Sequence, residues 1–264
     1  MAKALQGWFE EFPPRVRLRR IRARLSNRLL SARRLMLATK AYTLKAVGAG
    51  APSVSARDEM GRALQEECES LWKNGDPWDL AGSEYEQKKY IRQLELLGDR
   101  RYQSALEIGS ANACFSRMVS RIAGKVLALD ISESAIARAR ETCVGFPNIE
   151  FRVANIMDFD VAAEGPFDLI VLSETIYYLV AAYGADDVAS QVKRLYAATK
   201  EGGSMLMANG LLKHERRTGE ASTATTKYRD IVLQCGFKLE REEIFWHTHD
   251  GERHGALMGV FRKP

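Results

Sequence analysis

The chain has 264 residues, of which 46% are hydrophobic and 28% are charged, an ordinary composition for a soluble globular protein. This length predicts one large domain or a domain with an extension. The four cysteines are scattered without a Cys-x-x-Cys pair, which argues against a disulfide framework or zinc site and favours a reducing, cytoplasmic compartment. No run of about eighteen uncharged apolar residues occurs, so the sequence predicts no membrane-spanning helix.

The net charge of +5 is unevenly distributed along the chain. Residues 1–45 contain twelve lysines and arginines but only two acids, a net charge of +10, which leaves −5 for residues 46–264. The acidic balance of this larger part argues against nucleic acid as a partner. In the basic leader, apolar residues recur every three or four positions and predict an amphipathic helix: Leu18, Ile21, Leu25, Leu29, Ala32 and Met36.

Three interpretations of this leader are open from the sequence. Its apolar stripe packs on the rest of the chain or on a second copy, as in a homodimer. Alternatively, residues 15–45 bind an anionic membrane surface or an acidic partner, which would place the protein at the periphery of a membrane. In the third interpretation, the leader is disordered or targets an organelle, because it is rich in arginine and poor in acids.

A linker and a small helical cap are predicted after the leader. A stretch rich in glycine, alanine and serine ends near Ser55, so residues 1–55 are predicted to form the leader and linker. Helices are expected at about 56–73 and 84–97. Residues 56–103 would therefore form a cap that precedes the first strand.

Residues 104–264 alternate strand and helix patterns, which is typical of an α/β fold. The strand centres are continuously apolar, as expected for parallel strands that are buried on both faces. Five such strands are predicted, at 104–108, 125–130, 149–154, 169–173 and 204–208. Residues 239–248 and 254–262 flank the hairpin signal Asp250-Gly251. The prediction is a doubly wound, mostly parallel, seven-stranded Rossmann-like sheet that ends in an antiparallel hairpin.

The segment from Ala105 to Asp130 carries the strongest functional signal. Its pattern predicts a strand, a tight turn, a short helix and a second strand that ends in an acid, a unit that binds adenosine-bearing cofactors. Glu107 lies two residues before the turn glycine, Gly109, where its carboxylate can meet the ammonium group of a methionine tail. The turn, which includes Ser110, has too few glycines for a pyrophosphate to approach, which argues against a nicotinamide cofactor. We therefore expect S-adenosylmethionine.

The ends of the second and third strands are predicted to bind the nucleoside of this cofactor. Asp130, 21 residues after the turn glycine, is expected to bind the ribose hydroxyls, with Ile131 at the edge of the adenine. Asn155 and Ile156 are expected to contact the adenine through a side-chain and a backbone amide. The structural alternatives are a helix N-cap for Asp130, a turn contact for Asn155 and an ordinary strand-end hydrogen bond for Glu107.

The acceptor is predicted to lie at the end of the fourth strand, beside Ser173, which is assigned to the cofactor side. Glu174 can hold an acceptor amine or take its proton. Tyr177 and Tyr178 can form the pocket wall, although tyrosines in such a place are as often part of the core. His214, shortly after the fifth strand, is a weaker candidate for a base.

The predicted hairpin contains three of the four histidines, His247, His249 and His254. The first two would lie on one face of a strand, which suggests metal binding. No cysteine or carboxylate cluster completes a site, so we expect no metal cofactor.

Short motifs between residues 72 and 183 carry a family resemblance. They are Asp76-Pro77-Trp78, Ser83 to Tyr90, Leu106-Glu107-Ile108-Gly109, Ala128 to Ser132 and Ser173 to Leu179. The chain resembles class I S-adenosylmethionine-dependent methyltransferases, and most of all the nodulation protein S group, which methylates an amino-sugar nitrogen. By position, the resemblance implies that Trp78, Tyr85 and Lys89 lie near the cofactor and that Glu174 faces the methyl-transfer centre.

The chain departs from that family pattern at three positions. Ala113 stands where a second glycine is usual, so we expect its methyl group to narrow the turn and weaken cofactor binding. Asn112 replaces a small residue, and Asn155 replaces the usual aspartate.

Together these features predict an enzyme that transfers a methyl group to a small-molecule or saccharide acceptor, with an amine nitrogen as the favoured nucleophile. Methyl transfer needs a nucleophile held close to the methyl carbon and shielded from water, which a cap over the sheet provides. The first alternative is an O-methyltransferase that acts on a hydroxyl. A hydroxyl requires a stronger base than an amine does, and His214 is the candidate for that base. A catalytically silent cofactor-binding or scaffold protein is the second, because the turn is poor in glycine.

Overall fold

The structure is a computed structural model that describes residues 54–249 and 251–264. The predicted leader helix and nearly all of the predicted linker lie outside the described residues, as does Asp250 of the predicted hairpin turn. Within the described ranges, no helix combines the length and the apolar character that crossing a membrane requires.

Every strand predicted from the sequence is present. In chain order the elements are α1 (Val54–Trp72), α2 (Glu84–Leu97), β1 (Tyr102–Ile108), α3 (Cys114–Val119), β2 (Ala123–Asp130), α4 (Glu133–Thr142), β3 (Ile149–Val153), α5 (Val161–Glu164), β4 (Phe167–Ser173), α6 (Ile176–Tyr183), α7 (Ala185–Ala197), β5 (Thr199–Gly210), α8 (Lys213–Thr218), α9 (Thr223–Gln234), β6 (Lys238–His249) and β7 (Glu252–Arg262). Of the two predicted cap helices, α2 has the expected bounds, and α1 begins two residues early, inside the predicted linker.

The seven strands form one sheet in the order β3-β2-β1-β4-β5-β7-β6. The strands β1 to β5 are parallel, and β7 lies antiparallel between β5 and β6. The strand order reverses between β1 and β4, and ligands of doubly wound sheets bind at the carboxyl ends of strands beside such a reversal. The predicted fold class is therefore confirmed, and the residues predicted to bind a cofactor follow the strands at this reversal.

Two apolar clusters cover the two faces of the sheet, which explains why the strand centres are continuously apolar. On β1, Leu106 faces the cluster formed with α6, α7 and α9, and Ala105 faces the cluster formed with α2 and α3. Glu107 follows this alternation onto the second face, where its neighbours in register are Ala128 and Val171. Carboxylates are rarely buried among apolar residues, so this one indicates that the end of β1 has a binding role in addition to its packing role.

Polar contacts tie the two cap helices to opposite parts of the sheet. Glu69 of α1 accepts hydrogen bonds from Ser132 Oγ and from the Ser134 backbone N–H, at 2.7 and 3.0 Å. Burial raises the pKa of the Glu69 carboxyl, but the hydrogen bonds from Ser134 and Ser132 outweigh burial and lower this pKa to about 2. Arg92 of α2 makes two hydrogen bonds of 2.6 Å to Glu243 of β6.

The turn after β1 contains three residues in the left-handed region, Gly109 at φ +79°, Ala111 at +52° and Ala113 at +64°. Glycine is required at the first of these, because a Cβ atom there would lie 2.3 Å from Thr175 Oγ1. The two alanines adopt a conformation that costs an L-residue roughly 1 kcal/mol. The turn therefore holds local strain directly beside the end of β1.

Replacing Ala111 by glycine is expected to raise the free energy of unfolding by about 1 kcal/mol, because glycine has no Cβ to clash in this conformation. Urea unfolding without cofactor measures the change. The control is Ala137→Gly on the exposed side of α4, where the same substitution should destabilise the protein by about 1 kcal/mol. Equal destabilisation by both substitutions would contradict the presence of strain in the turn.

Candidate functional site

A cavity of about 340 Å³ lies between the cap helices and the carboxyl ends of the parallel strands. All of the predicted site residues except His214 line it: Trp78, Tyr85 and Lys89 from the cap, and Glu107, Gly109, Ser110, Asp130, Ile131, Asn155, Ile156, Ser173, Glu174 and Tyr177 from the strand ends and turns. Helix α1 also lines the cavity through Leu64, Cys68 and Leu71, which no sequence motif indicated. The cavity therefore joins the predicted cofactor and acceptor residues in one space.

Glu107 is buried in the cavity wall without full hydrogen bonding. Its side chain is 3% exposed, and its Oε2 atom has no hydrogen-bond partner among residues 54–249 and 251–264. Burial, together with the charge of Asp130, raises the pKa of Glu107 to about 8. A buried carboxylate is costly unless a cation or donor faces it, and the ammonium group of a methionine tail fits this requirement.

Asp130 at the end of β2 connects two turns. Its Oδ2 atom accepts a hydrogen bond from the Ala111 N–H at 2.8 Å, and its Oδ1 atom accepts one from the Ser132 N–H at 2.9 Å. The N-cap of α4 is Ser132, whose hydroxyl accepts from the Ala135 N–H at 3.1 Å, so the N-cap alternative for Asp130 is wrong. Each carboxylate oxygen has two lone pairs, so both oxygens can accept a further hydrogen bond from a ribose hydroxyl.

The side chain of Asn155 takes part in the turn after β3. Its Oδ1 atom accepts from the Met157 N–H at 3.1 Å, and its Nδ2 atom donates to the Tyr183 hydroxyl at 2.7 Å. These contacts favour the turn alternative for this side chain, because an adenine amino group would have to share Oδ1 with Met157. Ile131 and Ile156 also line the cavity and supply apolar surface.

Three charged side chains meet where α2 reaches the end of β4. Lys89 Nζ lies 2.8 Å from Glu174 Oε1 and 2.8 Å from Glu86 Oε2. The Gly210 N–H donates to Glu174 Oε2 at 3.0 Å, so both oxygens of Glu174 are held. Burial opposes the charge of Lys89, but the carboxylates of Glu174 and Glu86 outweigh burial and raise the pKa of the lysine. Burial raises the pKa of Glu86, whereas Glu174 presents its carboxylate to the predicted acceptor position.

The backbone of Glu174 is left-handed, with φ +56°. Its N–H donates to the Ala208 carbonyl at 2.7 Å, so the turn is fixed to the end of β5. Such strain in a non-glycine residue persists only where the surroundings enforce it, and it is concentrated at functional sites.

The ring of Tyr177 lies 4.5 Å from that of Tyr178, and burial raises the pKa of Tyr177 well above its ordinary value. Tyr177 is therefore a neutral donor and not a base.

The position of His214 contradicts its predicted role as a base. The residue is exposed on α8 outside the cavity, with Nε2 3.4 Å from Ser222 Oγ. Arg216, two residues later, and His254 of β7 line the cavity instead, although neither was predicted to belong to the cofactor or acceptor site.

In the described parts of the chain, no group of three or more His, Cys, Asp or Glu residues could hold a metal ion. The side chain of His249 lies outside those parts.

Two departures from the family pattern have different consequences. The methyl group of Ala113 is fully buried with Ala139 and Cys143 and does not line the cavity, so the expectation that it narrows the cofactor turn is wrong. Asn112 does line the cavity, and its Nδ2 atom donates to Asp76 Oδ2 at 3.0 Å. This hydrogen bond joins the turn after β1 to the Asp-Pro-Trp motif of the cap.

Comparison with known proteins agrees with this geometry. The family model described as Nodulation protein S (NodS) matches residues 60–227. Nodulation protein S of Sinorhizobium fredii is 30% identical over 192 residues, which cover 71% of this chain and 83% of the relative. The Rhizobium tropici protein of the same name is 28% identical over 193 residues, covering 72% and 76%.

A solved structure with the same fold contains a product of cofactor turnover. It is N-methyltransferase NodS from Bradyrhizobium japonicum WM9 in complex with S-adenosyl-l-homocysteine, with a TM-score of 0.63. The two sequences are 22% identical, and the match covers 78% of this chain and 98% of the other. At this identity, the likeness establishes the fold.

The raised pKa of Glu107, about 8, predicts pH-dependent binding of S-adenosylhomocysteine. In the free protein the carboxyl is mostly protonated at neutral pH, and the ligand's ammonium group should stabilise the charged form and lower the pKa. Binding then releases a proton, so the affinity should rise by up to about tenfold per pH unit between about pH 6 and 7.5. Calorimetry in buffers of different ionisation enthalpy measures both the affinity and the proton release.

Glu107→Gln is the matched variant for this measurement, since glutamine keeps the size of the side chain and cannot titrate. It should bind more weakly near pH 7.5 and should show neither the proton release nor the pH dependence. If both effects persist in the variant, another group is responsible for them.

Proposed function

Since this chain belongs to the nodulation protein S family, it is an S-adenosylmethionine-dependent methyltransferase, and we propose that it methylates an amine nitrogen of its small-molecule or saccharide acceptor. The description of the Bradyrhizobium structure as an N-methyltransferase supports nitrogen as the nucleophile. The observation that carries the proposal is the position of Glu174, whose fixed carboxylate lines the same cavity as Glu107 and Asp130.

The acids of the cavity fit the groups of the cofactor. In the proposed arrangement, Glu107 binds the ammonium group of the methionine tail and Asp130 accepts hydrogen bonds from the ribose. Ile131, Ile156 and helix α1 cover the adenine. When bound, S-adenosylmethionine supplies a methyl group on a positively charged sulfur, from which a nucleophile displaces it in line.

Glu174 orients the acceptor in this proposal. Its carboxylate accepts a hydrogen bond from the amine N–H, which turns the nitrogen lone pair toward the methyl group, and it then receives the proton that the methylated ammonium gives up. The contacts with Lys89 and Gly210 hold the carboxylate in place during this step. Tyr177 forms part of the wall, and the cap helices exclude competing water.

The charges of the site favour an amine over a hydroxyl. A hydroxyl must lose its proton to a base as it attacks, and His214, the candidate base, lies outside the cavity. An amine attacks with its own lone pair and then becomes cationic. The carboxylate of Glu174, which lines the cavity, stabilises that cation.

D-glucosamine and N-acetyl-D-glucosamine separate nitrogen from oxygen chemistry. The two sugars differ only at the nitrogen, which the acetyl group makes non-nucleophilic. We expect S-adenosylhomocysteine to form with glucosamine alone. Equal formation with both sugars would favour the O-methyltransferase alternative, and turnover with neither, despite cofactor binding, would favour the silent protein.

Glu174→Gln should reduce kcat for glucosamine about 10- to 100-fold, because glutamine cannot take the proton. The affinity for S-adenosylhomocysteine, measured by calorimetry, should change less than about twofold. The control is Glu150→Gln on β3, an exposed residue outside the cavity, which should leave both values unchanged. Unchanged turnover of the Glu174 variant would remove this residue from the mechanism.

A further inference from the structure

Arg216 places a cation in the cavity wall. It is half-buried on α8, and within residues 54–249 and 251–264 no carboxylate lies within ion-pair distance of its guanidinium. Its Nη1 atom lies 3.3 Å from Nδ1 of His254 on β7. Because a guanidinium only donates, the Nδ1 atom is the acceptor in this contact. An imidazole carries no negative charge, so the contact positions the guanidinium without balancing its charge.

The helix that carries Arg216 is firmly anchored. Glu215 is fully buried and accepts hydrogen bonds of 2.7 Å from the Leu212 N–H, the Ser222 N–H and Thr225 Oγ1. Burial opposes ionisation of this carboxyl, but the hydrogen bonds from Ser222 and Thr225 outweigh burial and lower its pKa. Arg216, the next residue, thus extends into the cavity from a fixed backbone, as a binding group should.

The other cation in the cavity wall, Lys89, is already neutralised by two carboxylates at 2.8 Å. The centroid of the Tyr85 ring lies 5.1 Å from Lys89 Nζ and 5.2 Å from the centroid of the ring of His254, the residue that Arg216 contacts. The acceptor side of the cavity therefore has a negative pole at Glu174 and a positive pole at Arg216. A molecule that spans both poles needs charges of both signs.

We propose that the acceptor is an amine that also carries an anionic group, a carboxylate or a phosphate, and that Arg216 binds this group. The inference rests on the proposed function, since it assigns the amine to Glu174. The guanidinium fork matches carboxylate and phosphate through two parallel hydrogen bonds. Such a pair is stronger in a cavity than in water, so the anionic group would distinguish the true acceptor from neutral amines.

Three matched amines test the proposal: D-glucosamine, D-glucosamine 6-phosphate, and muramic acid, which adds a carboxylate to the same amino sugar. Their affinities for the full chain saturated with S-adenosylhomocysteine are measured by calorimetry at low ionic strength. At least one anionic amine should bind about 10- to 100-fold more tightly than glucosamine, the range for a hydrogen-bonded charge pair. The two anionic arms also separate a phosphate site from a carboxylate site.

Variants of α8 link this preference to one side chain. Arg216→Gln should abolish it, and Arg216→Lys, which keeps the charge without the fork, should retain part of it. Arg217→Gln removes the same charge from an exposed neighbour that does not line the cavity, and it should retain the full preference. The affinity for S-adenosylhomocysteine should be the same in all of these variants.

Two results would overturn the proposal. Equal binding of all three amines to the wild-type chain would mean that the cavity has no anion site. A loss of S-adenosylhomocysteine affinity in Arg216→Gln would place the guanidinium at the carboxylate of the cofactor. Failure of the proposed function has a different signature: the charge preference would persist, but no methyl group would be transferred to these amines.

Discussion

The cavity depends on one buried cation. Lys89 on α2 is 2% exposed, and a charge removed from water to this extent is tolerated only beside carboxylates. Glu86 of the same helix supplies one carboxylate, and Glu174, after β4, supplies the other. Helix α2 must therefore lie where Lys89 reaches the end of β4, which places it over the carboxyl ends of the strands. The position of the cap and the charge of the acceptor site follow from the same constraint.

The two functional acids are held in opposite ways. Glu174 has a strained backbone, and Lys89 and Gly210 bind its two oxygens, so the fold determines where its carboxylate lies. Glu107 continues the alternation of an apolar strand, and burial leaves its Oε2 atom without a hydrogen-bond partner from the described chain. The first arrangement suits an acid that must orient a reactant, and the second suits an acid whose counter-charge comes from a bound ligand.

The fold and the strand-end residues could be predicted from the sequence because their signals are local. An apolar run predicts a strand, and the side chains after parallel strands share one edge of the sheet. Contacts between distant segments leave no such signal, so the pairing of Lys89 with Glu174 and the α1 residues that line the cavity were not predicted. His214 of α8 was predicted as a candidate base, but it lies outside the cavity. Residues two apart in a helix point about 200° apart, so Arg216 faces the cavity instead.

The order in which the strands are made differs from their order in the sheet. β7 is the last of the seven strands to be synthesised, but it lies between β5 and β6, and β6 pairs with β7 alone. β1 to β4 leave the ribosome much earlier, and N-terminal units generally fold first during synthesis. The part of the sheet that joins β5, β7 and β6, together with the cavity wall that contains His254, therefore cannot form until the end of the chain has been synthesised.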